Sequence, residues 1–110
     1  MPQFVLMLRD NGSFPTNISA EEIQEIIERY RVWSERVGGK GQKLADGEGR
    51  TVVRASEGGI TVTDGPYAES KEVIGGYFLI DAEVYDTVAK LAEDCPHLEY
   101  GSIEIRQIEL

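Results

Sequence analysis

The sequence predicts an α+β domain of split β-α-β plan, with an antiparallel sheet and two helices on one of its faces. Three observations carry this. Two amphipathic stretches with helical spacing each lie between strand-like segments, a glycine turn joins two β-branched runs in mid-chain, and the last segment alternates apolar and polar residues. The 110 residues, 41% of them hydrophobic, suffice for one domain that buries a core without disulfides or metal.

Gln3 to Arg9 is continuously apolar between its polar ends, which predicts a central strand covered on both faces. Asp10-Asn11-Gly12-Ser13 and Pro15 then supply turn chemistry. The first helix is predicted to start at Ser19 or Ala20, because Ser19 and Glu22 have capping-box spacing and Ile18 and Ile23 are spaced as a hydrophobic staple. Ile23, Ile26, Ile27, Tyr30, Trp33 and Val37 form its apolar stripe, and Gly38-Gly39 provides a left-handed stop. Trp33 reads as a core residue that, at a helix end, is also a candidate pocket wall. Gly39-Lys40-Gly41 lacks the spacing of a phosphate-binding loop and reads as a flexible connection.

Thr51 to Ser56 and Ile60 to Thr63, joined through Glu57-Gly58-Gly59, predict an inserted hairpin. Gly76 to Ile80 predicts a further buried strand, after which Asp81 is expected to cap a helix. Val84, Val88, Leu91, Ala92 and Cys95 line one face of that helix and Pro96 stops it. Glu93 and Asp94 oppose the helix dipole, which points to an exposed terminus or a partner. Ser102 to Ile108 predicts a final strand with one wet face. The order is that of a ferredoxin-like split β-α-β fold. Two helices cover only one sheet face, so a homodimer with sheets packed face to face is expected.

The net charge of −9 is uneven: Met1 to Ala55 holds eight acidic and eight basic residues, and Ser56 to Leu110 holds twelve acidic residues against Lys71, Lys90 and Arg106. Such a surface repels phosphate backbones and anionic lipid, so neither nucleic acid nor membrane is an expected partner. No apolar run approaches the ~20 residues of a spanning helix. The single Cys95 and the lack of a signal-like start point to a reducing, cytoplasmic setting.

The chemistry-bearing stretch is Asp64-Gly65-Pro66-Tyr67-Ala68-Glu69-Ser70-Lys71-Glu72, closed by Gly75-Gly76. Asp64 is a candidate base if partial burial raises its basicity, Lys71 a candidate counter-charge for an anionic substrate or enolate, and Glu72 or Glu69 a candidate for the opposite proton transfer. Gly65, Pro66, Tyr67, Glu69 and Ser70, with Trp33, are candidate ligand contacts. The same residues also suit a plain turn, with Lys71 and a neighbouring carboxylate as a fastening ion pair. One histidine without Cys-x-x-Cys or His-x-x-x-His spacing leaves no recognisable metal site, and no cofactor is expected.

This stretch, followed by Gly75-Gly76-Tyr77, resembles the signature of the DGPF group of YCII-related domains, with Tyr67 where that group usually has Phe. The resemblance runs from the first strand to Gly101-Ser102-Ile103-Glu104-Ile105-Arg106. It implies a dimeric α+β barrel of ferredoxin-like subunits, related in fold to muconolactone isomerases, and in some relatives enzymatic work by a His-Asp pair. Such a pair is not expected here, because His97, the sole histidine, reads as a solvent-exposed loop residue after Pro96. Two functions stay open. One is a small molecule bound in a barrel pocket, with isomerase- or lyase-like acid-base chemistry. The other is a non-catalytic accessory domain binding a sigma factor or other regulatory protein through its acidic half.

Overall fold

The structure, a computed structural model, describes residues 1–45, 49–65 and 73–109. In chain order it contains β1 (Gln3–Asp10), α1 (Ala20–Val37), β2 (Lys40–Lys43), β3 (Arg50–Arg54), β4 (Ile60–Asp64), β5 (Val73–Asp81), α2 (Tyr85–Ala92), a 3-10 helix (Pro96–Glu99) and β6 (Gly101–Ile108). Four strands form one antiparallel sheet in the order β2-β5-β1-β6, the ferredoxin-like arrangement, and β3 and β4 pair as a separate hairpin.

The apolar run of β1 is central, hydrogen-bonded to β5 and β6 on either side. Alternation sends Phe4, Leu6 and Leu8 to the helix side, where Phe4 and Leu6 join Ile80, Trp33 of α1 and Val88 and Ala92 of α2 in the core. Val5 and Met7 lie on the opposite face beside Leu79 and Tyr77, half-buried by their sheet neighbours. Both helices therefore pack on one face of the sheet, as the element order predicts.

Local chemistry fixes where α1 begins and ends. The Glu22 amide donates to Ser19 Oγ at 3.1 Å, and the Ser19 hydroxyl donates to Glu22 Oε1 at 3.2 Å. At the other end Gly38 adopts φ 70°, the left-handed conformation that a side chain disfavours, and its amide donates to Glu35 O.

Two expectations are corrected. Gly39-Lys40-Gly41 is not a flexible connection but leads directly into an edge strand, Lys40 to Lys43, paired with Gly76 to Leu79, which supplies the fourth strand of the sheet. Four polar or glycine residues carry no periodic signal, and the pairing arises from backbone groups offered by β5. Asp81 does not cap α2: it ends β5 opposite Gln3, the Ala82 amide donates to Pro2 O, and α2 starts at Tyr85 with Val84 at the cap position and no side-chain cap bond.

The hairpin lies where predicted and stands apart from the main sheet. The radius of gyration, 16.0 Å, exceeds the ~13 Å of a compact chain of this length. Val52, Ile60 and Val62 share one hairpin face and are each more than half exposed.

Candidate functional site

The C-terminal end of β1 is the best-furnished polar site. The sheet carries Asp10 to the helix side, where α1 brings Tyr30 and the 3-10 helix brings His97. His97 is 3% exposed, although it is the one polar residue so buried among the described residues. Its Nε2 lies 2.9 Å from the Arg9 carbonyl oxygen and its Nδ1 lies 3.0 Å from the Tyr30 hydroxyl. A carbonyl only accepts, so Nε2 carries the proton of the neutral ring and Nδ1 accepts from Tyr30. Burial pushes the Tyr30 phenol well above its ordinary pKa, with the nearby Cys95, Tyr100 and Asp10 adding to the rise. Tyr30 thus stays a donor, and the imidazole is held in one tautomer and one orientation.

Asp10 Oδ1 lies 3.6 Å from His97 Nε2. The Asp10 side chain is 44% exposed, so a solvent-reachable carboxylate stands in front of a buried, oriented imidazole. Asp10 is also flanked by backbone anchors: it pairs with Val73 of β5 and with Gly101 of β6, and the Asn11 amide donates to Tyr100 O at 3.0 Å. Behind His97, burial pushes the Cys95 thiol up to about 11, so it stays protonated.

The expectation for His97 is thereby overturned. Pro96 opens a 3-10 turn rather than a loop, and that turn folds its second residue inward. The overlooked signal was Pro at a first helical position directly after a buried helix face. Asp10 was concealed as a turn residue and Tyr30 as one member of an apolar stripe. No spacing in the sequence joins positions 10, 30 and 97.

Of the residues singled out in the acidic stretch, Asp64 and Gly65 are described, whereas Pro66, Tyr67, Glu69, Ser70, Lys71 and Glu72 lie outside the described residues. Asp64 ends β4 with its side chain 81% exposed and its Oδ1 3.1 Å from Arg50 Nε. Gly65 is buried with φ 76°, a backbone requirement for glycine. Trp33 is buried in the core, edge-on to Phe78 with ring centroids 5.2 Å apart, and its Nε1 donates to Leu91 O at 3.0 Å. Its outer edge borders an open surface groove of about 410 Å³ with Val32, Arg36, Asp94 and Pro96. Charges bordering that groove are paired in the chain, Arg36 with Asp94 at 3.2 Å and Arg29 with Glu99 at 2.8 Å. Of the two explanations the sequence offers for Glu93 and Asp94, an exposed terminus or a partner, the structure shows the exposed terminus, with Asp94 paired to Arg36 within the fold. The Arg29 guanidinium beside Glu99 holds that carboxyl below the usual carboxylate range.

This is an α+β domain whose sheet end presents an oriented histidine and a carboxylate. The sequence profile of the YCII-related domain matches residues 3–110, and the chain belongs to that family. The uncharacterized protein R00369 of Rhizobium meliloti (strain 1021) is 38% identical over 60 residues, covering 53% of this chain and 48% of that protein. The chain thus matches about half the length of that curated relative. Among solved structures, this chain is similar to 5-chloro-2-hydroxyhydroquinone dehydrochlorinase (TftG) from Burkholderia phenoliruptrix AC1100 in complex with 2,5-dihydroxybenzoquinone. That likeness has a TM-score of 0.49 at 13% identity, over 97% of this chain and 93% of that one. Among the described residues no helix is long and apolar enough to cross a membrane.

Proposed function

We propose that this protein binds a small carbonyl-bearing molecule at the end of β1 and moves a proton on it, with Asp10 as the base and His97 as its oriented support. The observation that carries this reading is the 3.6 Å approach of a solvent-reachable Asp10 carboxylate to His97 Nε2, on an imidazole whose two nitrogens are both engaged. Asp10 takes a proton from the carbon beside the carbonyl, and the electron pair moves onto the carbonyl oxygen. In a substrate with a double bond beyond that carbon, the resulting dienolate takes the proton back at the far end of the conjugated system, which completes an isomerisation; with a leaving group on the next carbon, its expulsion as the carbonyl re-forms completes an elimination. The His97 N–H, shared between the Arg9 carbonyl and the carboxylate side, steadies Asp10 while its charge changes.

The base role passes from Asp64 to Asp10, because Asp64 is exposed and paired with Arg50 and lacks the burial such a role requires. The acidic stretch keeps a part through its position in the chain: it leads into Val73, which pairs with Asp10. Lys71 is the proposed counter-charge for the developing enolate, Glu72 the second proton carrier, and Pro66, Tyr67, Glu69 and Ser70 the proposed pocket contacts.

A second copy is proposed to cover the helix-free sheet face, where Val5, Met7, Leu79 and Tyr77 lie beside the Arg9–Glu104 ion pair. Monomeric mass by light scattering at micromolar concentration would rule this out. The site is tested with a library of small keto and hydroxy acids, aldehydes and enols in thermal-shift format. Hits that stabilise the wild type and lose their shift in Asp10→Asn support the reading, and hits of equal size in both proteins overturn it.

A further inference from the structure

Gly75 belongs to the glycine pair that closes the acidic stretch, and its place in the sheet differs from that of Gly76. The register of β1 against β5 runs Leu8 opposite Gly76 and then Arg9 opposite Ile74, so Gly75 is the extra residue of a β-bulge. A Cβ on Gly75 would lie 2.2 Å from Asp10 Oδ2, 2.9 Å from Asp10 Cγ and 3.0 Å from Asp10 Oδ1. Gly75 has no positive φ. Space, not backbone freedom, therefore demands glycine here. At Gly76 a Cβ would meet the Gln42 carbonyl oxygen at 3.0 Å, Lys43 Cα at 3.5 Å and Leu8 Cδ1 at 3.8 Å, and no atom of Asp10 or His97 is among these three nearest.

We propose that Gly75 is a positioning residue for the Asp10–His97 pair: the missing side chain is the seat of the Asp10 carboxylate. The inference rests on the reading of Asp10 as the site's base. The bulge pushes the glycine toward β1, and the carboxylate fills the space a methyl group would take. A side chain at position 75 displaces a flexible carboxylate rather than backbone, so the fold survives while Asp10 swings away from His97 Nε2. The signature stretch then serves the chemistry by leaving a space beside β1.

The sole histidine gives a single imidazole spin system, so ¹H–¹⁵N correlation of His97 in the full chain reports the pair without any substrate. The variants are Asp10→Asn, Gly75→Ala and, as a control for general strain at the bulge, Gly76→Ala. Gly75→Ala is expected to move the His97 Nε2 resonance in the same direction as Asp10→Asn and by a comparable amount, with Gly76→Ala leaving it near wild type. A folded Gly75→Ala protein with a wild-type Nε2 resonance overturns the inference. If Asp10→Asn itself leaves that resonance unmoved, the Asp10–His97 reading fails instead, and the two failures are distinguishable. Should Gly75→Ala not fold, the same substitution in an Asp10→Ala background decides: restored folding supports the seat, and equal loss of folding with the carboxylate absent overturns it.

Discussion

Tyr30→Phe isolates the bond that orients the imidazole. The substitution keeps the ring and removes one O–H, leaving His97 Nδ1 without its donor at 3.0 Å. An unsatisfied buried acceptor costs about 1–3 kcal/mol. Because Tyr30 is half-buried, water reaches part of the gap, and the lower half of that range, about 1–2 kcal/mol, is expected. An unfolding entropy of ~2.1 cal/mol/K per residue makes ~0.23 kcal/mol/K for this chain, so the melting temperature should fall by about 4–9 °C. Calorimetry on both proteins at neutral pH measures this directly. A double-mutant cycle sharpens it: in a His97→Leu background the added Tyr30→Phe should cost less than ~0.5 kcal/mol, since no acceptor remains to be stranded. A melting temperature within ~2 °C of wild type, or an equal cost in both backgrounds, would show that Tyr30 does not hold the ring and would remove the tautomer argument.

Other consequences are equally accessible. Leu6→Ala, at a fully buried position of the central strand, should lower stability by about 2–5 kcal/mol in urea titration, whereas Val52→Thr on the exposed hairpin face should stay within about 0.5 kcal/mol. Gly41→Ala would place a Cβ 1.9 Å from the Tyr77 carbonyl oxygen, so hydrogen-exchange protection along β2 and its β5 partners should collapse while β1 and β6 stay protected. The Cys95 thiol is raised from 9.0 to about 11, so the unfolded chain loses its proton first and stability should fall as pH rises between those values. Urea midpoints at pH 8 and pH 10 check this, and Cys95→Ala should make the decline smaller; an unchanged decline would assign it to other groups. Glu99, whose carboxyl is lowered by Arg29, works in the opposite sense: its contribution is present above the unfolded carboxylate range and is lost as pH falls through the lowered value. The pair is exposed to solvent, so Arg29→Gln should alter acid stability only slightly.

Much of the fold was legible because periodicity and caps act locally. Ser19, Glu22 and Gly38 delimit α1 through bonds within a few residues, and Phe4, Leu6 and Leu8 declare the buried strand without reference to anything distant. β2 was invisible for the opposite reason: Lys40-Gly41-Gln42-Lys43 becomes a strand only because β5 offers it an edge. The site divided along the same line. The acidic stretch announces itself through glycine, proline and clustered charge, and Gly75 and Val73 do lie against Asp10. The groups that meet at the site come from three elements separated by 20 and 67 residues in the chain, and neither Asp10 nor His97 carries a local mark of the other. His97 was misplaced because a histidine after proline looks like a loop residue until the 3-10 turn that buries it is formed.

The proposed chemistry stands on Asp10, and the most direct measurement is a crystal structure of the protein with the strongest thermal-shift hit bound. The account predicts that the ligand sits at the end of β1 with a polar or acidic C–H group within hydrogen-bond reach of the Asp10 carboxylate, and His97 unmoved behind it. A ligand seated instead against Asp64 or in the groove beside Trp33, with Asp10 left in solvent, would contradict it.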